Sequence, residues 1–146
     1  MRLGTAADAE TLAKFNIAMA YETEGIELPE AVVMAGVRAM LDNPQRGFYA
    51  IAESGGVSVG ALMITTEWSD WRNGLFWWIQ SVYIAPAHRR RGIYRDLYQY
   101  VKDRATESAH VCGFRLYVKQ HNDTAKRTYR ALGMAPTSYE LYEELV

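Results

Sequence analysis

A strand, a basic glycine turn and the start of a helix follow one another directly between Ser81 and Leu97. The apolar run 82–84 predicts the end of a strand, and Pro86 stops it because proline has no N–H to donate to a ladder. Gly92 then precedes an amphipathic helix pattern. The first N–H groups of a helix have no intrahelical partner and carry about half a positive charge. This order therefore predicts an anion site at a helix N-terminus.

The charges of the turn point to a polyphosphate as the ligand. Gly92 lets the backbone approach the ligand closely, and four guanidinium groups surround it, those of Arg89, Arg90, Arg91 and Arg95. A solvated basic face and a nucleic-acid patch are the alternatives. The whole chain has 16 Lys and Arg against 17 Asp and Glu, with a net charge of -1. A nucleic-acid domain usually has a clearly basic balance, so no nucleic-acid partner is expected.

Length and composition predict one globular domain over residues 1–146, with 49% hydrophobic and 23% charged residues. No apolar run approaches the ~20 residues that span a bilayer, so no membrane partner is expected. The N-terminus lacks the apolar segment of a secretory signal, which predicts a cytoplasmic protein. Cys112 is the single cysteine, which excludes an internal disulfide and a thiolate metal cluster. Its apolar neighbours predict that it is a small buried residue.

The hydrophobic periodicity predicts two helices, a three-stranded antiparallel meander, and then an alternation of helix and strand. The fold class expected is therefore mixed α/β (α+β), with a mixed sheet and helices on both faces. The predicted strands cover residues 1–4, 47–53, 57–66, 75–84, 112–118 and 139–144. No repeat, linker or low-complexity segment interrupts this order.

Two motifs make the chain similar to the GNAT superfamily of acyl-CoA-dependent N-acetyltransferases over nearly its whole length. The family's motif Gln/Arg-x-x-Gly-x-Gly/Ala reads Arg89-Arg90-Arg91-Gly92-Ile93-Tyr94 here, after a strand and Pro86. A second signature, an asparagine with an alanine three and a tyrosine seven residues on, appears as Asn122, Ala125 and Tyr129. Tyr94 departs from the pattern, because the family has glycine or alanine there, beside the pyrophosphate. The helix pattern predicts that the Tyr94 ring points away, toward the side of Leu97 and Tyr98.

The resemblance implies a fold, a donor and the donor's binding residues. The implied fold is a central mixed, mostly antiparallel sheet of six to seven strands with helices on both faces and splayed central strands. The implied donor is acetyl-CoA as a cosubstrate, without a metal. Pantetheine would pair with strand backbone, and the pyrophosphate would lie in the basic turn. The cofactor-binding residues implied are Val82, Tyr83, Ile84, Arg89, Arg90, Arg91, Gly92, Ile93, Tyr94, Arg95 and Asn122.

The implied reaction is direct attack of a primary amine on the thioester, with Tyr129 as the catalytic acid for the departing thiolate. The base stays open between four carboxylates and a water molecule, the carboxylates being Glu22, Glu24, Glu67 and Asp70. A small-molecule amine is the acceptor expected, and a protein lysine or N-terminus is the alternative. A non-catalytic acyl-CoA-binding module and a nucleic-acid binder are the competing classes. The resemblance also makes a homodimer plausible.

Overall fold

A computed structural model describes all 146 residues as two compact units, Met1–Leu116 and Tyr117–Val146. The first unit holds one five-stranded sheet and three α-helices, and the second holds a single α-helix. The strands are β1 Arg2–Leu3, β2 Gly47–Ser54, β3 Val57–Ser69, β4 Gly74–Ile84 and β5 Val111–Arg115. The helices are α1 Ala9–Glu24, α2 Glu30–Leu41, α3 Ile93–Thr106 and α4 Asp123–Ala131. No helix is both long enough and apolar enough to cross a membrane.

The sheet has the order β1-β2-β3-β4-β5 and is mixed, as predicted. The first four strands pair antiparallel, and the β2–β3 hairpin turns at Gly55 and Gly56, whose φ angles of 58° and 78° suit glycine. β5 pairs parallel with β4. A parallel pair needs a crossover connection, and α3 provides it.

Helices cover both faces of this sheet, which confirms that expectation. Successive strand residues point to opposite faces, so Phe48 and Tyr49 of β2 mark the two sides. Tyr49 belongs to a buried cluster with residues of α1 and α2. Phe48 lies on the other side, where the Arg104 guanidinium of α3 stands 5.8 Å from its ring centroid. The largest fully buried side chains come from both layers and the sheet: Leu12, Val37, Ile51, Leu62, Ile64, Leu97 and Val101.

The predicted strand count of six to seven is wrong, because the structure has five strands. The segment 139–144 alternates like a strand but forms none, and Tyr139, Leu141 and Tyr142 are exposed by 77%, 69% and 86%. A strand exists only where a neighbour accepts its backbone hydrogen bonds, and no strand of the sheet pairs with residues 117–146. β5 also ends earlier than predicted, at Arg115.

Cys112 is exposed, so the prediction that it is buried is wrong. The β4–β5 register runs from Leu75–Val111 directly to Phe76–Gly113. Cys112 is therefore the extra residue of a β-bulge, and it has no partner on β4. A bulge bends its strand and re-aims the extra side chain, which removes Cys112 from the packed face.

Candidate active site

The basic turn joins β4 to α3 through a short 3-10 helix, Pro86–His88, and two residues in the left-handed region. Arg90 has a φ of 61° and Gly92 a φ of 79°. A Cβ on Gly92 would lie 3.0 Å from Nη2 of Arg95, so the backbone here is shaped for glycine. Where residues with left-handed φ angles follow residues outside that region, successive N–H groups turn toward one side, which produces a concave site for an anion.

The N-terminus of α3 offers its first N–H groups without a side-chain cap. Gly92 is the N-cap residue, and its carbonyl accepts the first helical hydrogen bond from the Asp96 N–H at 3.0 Å. The preceding N–H groups of the first turn have no intrahelical acceptor. Arg90, Arg91 and Arg95 are exposed around this end, and Arg95 also forms an ion pair with Asp96 at 3.1 Å. Backbone dipole and side-chain charge thus favour an anion at the same place.

Among the arginines of the turn, Arg89 contacts residues of two other elements, α1 and β4. Its Nη2 lies 2.5 Å from Oε2 of Glu22, at the end of α1, and its Nε donates to the Ile84 carbonyl at 2.9 Å. The other Glu22 oxygen accepts a hydrogen bond from the Tyr83 hydroxyl at 3.2 Å. Burial, and then the charge of Glu22, raises the pKa of Tyr83. A ligand phosphate would therefore compete with Glu22 for Arg89.

β4 changes its pairing on both sides before it reaches the turn. Toward β3, Ala61 pairs with Tyr83 and Met63 with Gln80, so Ser81 and Val82 together face one residue. Ser81 has a φ of 49°, and this bulge bends the strand. Toward β5, the ladder ends at the pair Trp78–Arg115. The stretch Val82–Ile84 therefore lies beyond the β5 ladder, where an extended ligand can pair with main-chain groups.

The rings of Tyr83 and Tyr94 lie in packed positions. Tyr83 is 9% exposed and contacts Phe15 of α1, with 5.1 Å between ring centroids, so it offers the site only main chain. The Tyr94 ring is parallel to that of Tyr98, with centroids 6.2 Å apart. This is the side that the helix pattern predicts.

Asn122 and Tyr129 belong to the second unit, on α4. Asn122 is the N-cap, and its Oδ1 accepts the Ala125 N–H at 3.0 Å, which leaves its amide N–H groups for other contacts. Tyr129 stands seven residues on, near the end of the helix. Burial raises the pKa of the Tyr129 hydroxyl, so it holds its proton at neutral pH.

The four candidate bases differ in what they contact. Glu22 accepts hydrogen bonds from Arg89 and Tyr83. The Glu67 carboxylate of β3 accepts one from Nη1 of Arg115 at 2.6 Å and another from the Trp78 indole. Asp70 lies in the β3–β4 turn, and its Oδ1 accepts the N–H of the next residue. Glu24 is the last residue of α1.

A cluster on the β3, β4 and β5 strands, which we call the Arg115 cluster, was not predicted from the sequence. Its members are Glu67, Phe76, Trp78 and Arg115, which lie on one face of the sheet. The Arg115 guanidinium lies over the Phe76 ring, 3.7 Å from its centroid. Alternation along each strand carries part of this signal. Residues 65 and 67 share one face of β3, and residues 76, 78 and 80 share one face of β4. The register between strands, which brings them together, is not visible in the sequence.

Comparison with known proteins adds a family match and many similar structures. The model of the Acetyltransferase (GNAT) family matches residues 15–134. A solved structure described as a possible acetyltransferase from Clostridium difficile 630 is 43% identical, with a TM-score of 0.93, over 99% of this chain and 95% of that one. No curated protein matches the chain.

Two more distant structures share the fold. One is a predicted acetyltransferase with acetyl-CoA from Clostridium acetobutylicum, at 18% identity and a TM-score of 0.80, over 98% of this chain and 94% of that one. The other is AAC(6')-Iy in complex with a bisubstrate analog of CoA and acetylneamine, at 15% identity and a TM-score of 0.79, over 99% and 96%.

Proposed function

Because this chain belongs to the GNAT acetyltransferase family, we propose that it transfers an acetyl group from acetyl-CoA to a primary amine. The observation that carries the proposal is the continuous path from the β4 bulge to the uncapped N-terminus of α3. One end of this path suits an extended chain and the other suits a polyphosphate. Acetyl-CoA has both parts in that order, and two neighbours of the same fold are described with acetyl-CoA or a CoA analog.

In this proposal the pyrophosphate binds the first-turn N–H groups of α3 and the exposed guanidinium groups of Arg90, Arg91 and Arg95. Gly92, Ile93 and Tyr94 contribute main chain. Arg89 joins them by exchanging Glu22 for a phosphate. The pantetheine amides pair with the backbone of Val82–Ile84, which lies beyond the β5 ladder. The thioester then lies next to Ser81, at the bulge.

The acceptor amine must lose a proton before it attacks the thioester. For an amine of pKa ~10.4, deprotonation at pH 7 costs about 4.6 kcal/mol. Glu22 and Glu67 already accept hydrogen bonds from a guanidinium, so neither carboxylate is free to face an incoming amine without giving up that contact. We therefore propose that the proton passes through a water molecule to bulk solvent rather than to either carboxylate. The value of kcat/KM should then rise with pH up to the pKa of the amine, and a plateau well below it would identify a protein base.

Tyr129 is the acid that we propose for the departing thiolate. A thiol of pKa ~8.5 makes a phenol a workable donor if the two are held close. The raised pKa of Tyr129 keeps the proton in place, although it also weakens the acid. Tyr129→Phe should lower kcat and leave the affinity for CoA unchanged. An unchanged kcat would assign Tyr129 to packing alone.

We also propose that residues 1–146 act as one acetyltransferase domain, since the family match spans both compact units. The homodimer stays a prediction, which light scattering of the purified protein tests.

Thermal melting with acetyl-CoA, CoA, ATP and a short oligonucleotide tests the donor. A ligand at 100 times its Kd adds about 2.7 kcal/mol, which raises the Tm of a domain of this size by several degrees. We expect stabilisation by both CoA species well beyond that by ATP. No shift with either CoA species would refute the proposal. A shift without turnover on any amine would favour a binding module.

A further inference from the structure

We propose that Arg115 binds a carboxylate of the acceptor, and that the acceptor is an amine with a carboxylate at the far end of an extended chain. The inference rests on the proposed acetyl transfer, because it uses the position of the thioester at Ser81. It names a substrate class for that reaction. The Arg115 cluster carries the argument.

The Arg115 guanidinium is held in one orientation by two direct contacts. Its Cζ lies over Phe76, 3.7 Å from the ring centroid, and its Nη1 donates to Oε1 of Glu67 at 2.6 Å. The second oxygen of Glu67 accepts the indole N–H of Trp78, so the carboxylate is itself fixed. Gly113 makes room for Phe76, because a Cβ there would lie 2.7 Å from Cε1 of the ring. A cation fixed in this way loses little entropy when it binds a ligand.

The contacts of Arg115 leave one edge of the guanidinium for a ligand. Glu67 uses Nη1, and the edge formed by Nε and Nη2 makes no ion pair with Glu67. The Arg115 side chain is 32% exposed, so solvent reaches it. A planar guanidinium edge matches the two oxygens of a carboxylate.

Stability alone does not account for this arrangement. Glu67 and Arg115 are exposed by 41% and 32%, and ion pairs that are this exposed contribute little to stability. The cluster nevertheless places a ring beneath a single guanidinium, a glycine that makes room for that ring, and an indole hydrogen bond to the carboxylate that the guanidinium contacts. Fixing a functional group by its neighbours is typical of a binding site.

The register of β4 sets the length of the acceptor. Arg115 pairs with Trp78, three residues before Ser81, which at about 3.3 Å per residue is roughly 10 Å along the strand. The guanidinium reaches back over Phe76, which is further still from Ser81. An amine and a carboxylate on the same carbon cannot span this distance. A long-chain ω-amino acid such as 8-aminooctanoate is the class that fits.

The test measures binding to the CoA-saturated protein by titration calorimetry. The probes are 8-aminooctanoate, its methyl ester and its isomer 2-aminooctanoate, in which the amine and carboxylate share a carbon. A charged hydrogen-bonded pair should make the free acid bind about 10- to 100-fold tighter than its ester. Arg115→Gln should bring this ratio close to one, and Arg115→Lys should give an intermediate ratio because it keeps the charge without the planar edge. Arg72→Gln is the matched control, since the Arg72 guanidinium lies over the same Phe76 ring at 5.2 Å.

Each outcome separates this inference from the proposed function. The carboxylate site is supported if 8-aminooctanoate is acetylated and 2-aminooctanoate is not. The ratio of the affinities of free acid and ester should also depend on Arg115 and not on Arg72. Equal binding of acid and ester, no binding of either, or an unchanged ratio in Arg115→Gln overturns it. If the carboxylate site is overturned, acetylation of simple alkylamines together with CoA-induced stabilisation would still support the proposed function. Absence of CoA-induced stabilisation would overturn both.

Discussion

The Asp8 carboxylate should make the stability of the fold depend on pH below pH 4. Asp8 is 7% exposed. Its two oxygens accept hydrogen bonds from Nη2 and Nη1 of Arg2 at 2.6 and 2.8 Å. One oxygen also accepts the N–H and hydroxyl of Thr5 at 2.8 and 2.9 Å. These contacts join β1 to the start of α1.

The magnitude follows from the pKa. Hydrogen bonding to Arg2 lowers the pKa of Asp8 from 3.8 to about 2, against the opposing effect of burial, and Thr5 adds to the lowering. The unfolded chain therefore binds the proton at a higher pH than the folded protein. The contribution to stability is complete above the unfolded pKa and is lost as the pH falls through 2. At 1.36 kcal/mol per unit, the loss between pH 6 and pH 2 is about 2 kcal/mol.

Urea unfolding of the wild type and Asp8→Asn at pH 6, 4, 3 and 2 measures this loss, with the four tryptophans as the probe. Other carboxylates titrate in both proteins, so the quantity of interest is the difference between them. This difference should shrink by about 2 kcal/mol from pH 6 to pH 2, mostly below pH 4. Glu10→Gln is the control, because Glu10 is fully exposed in its pair with Lys14 and should give a much smaller change.

A constant difference between wild type and Asp8→Asn over this range would refute the reasoning. It would mean that the Asp8 carboxylate has the same pKa in the folded and unfolded states. A difference that grows toward low pH would reverse the sign and show that burial dominates over the contact with Arg2.

Three further changes test the site. Gly92→Ala should weaken CoA binding about fivefold or more, because a left-handed φ costs an L-residue on the order of 1 kcal/mol, and calorimetry measures the Kd. Glu22→Gln should tighten CoA binding by up to about fivefold at low salt, since an exposed ion pair contributes at most about 1 kcal/mol and its loss releases Arg89 for the phosphate. Gly113→Ala should lower the free energy of unfolding by about 1–3 kcal/mol through displacement of the buried Phe76 ring, as urea unfolding will measure.

The controls for these variants come from the same chain. Gly36→Ala adds a Cβ that meets nothing within 4 Å, in the middle of α2, so it should leave stability unchanged or raise it. Glu24→Gln removes the same charge two residues beyond Glu22 and should change the CoA affinity less. Weaker CoA binding in Glu22→Gln would mean that the Arg89 contact supports the donor site instead of competing with it.

Local patterns predicted the parts of the fold that local physics determines. The β2–β3 hairpin follows from alternation on both sides of Gly55-Gly56, and both glycines adopt the positive φ that such a turn requires. The basic turn was predicted for the same reason, because a stop to the strand, a glycine and an amphipathic run lie next to one another. In these cases the interacting residues are neighbours in the chain.

The failures concern partners that are distant in the chain. Residues 139–144 have an alternating pattern, but a pattern cannot tell whether a neighbouring strand is present. Cys112 was expected inside because its neighbours are apolar, and one extra residue in the β5 register reverses that. The Arg115–Glu67 contact joins residues 48 positions apart, so only the register of three strands brings it together.

The early end of the β4–β5 ladder also has a consequence for handling the protein. Beyond Trp78 and Arg115, the second half of β4 is an interior edge of the sheet that no strand of the structure pairs with on that side. Exposed edges capture extended chains, which is how many proteins begin to self-associate. A ligand that pairs with Val82–Ile84 would also act as a cover for this edge. Preparations freed of such a ligand should therefore show more concentration-dependent association than occupied ones.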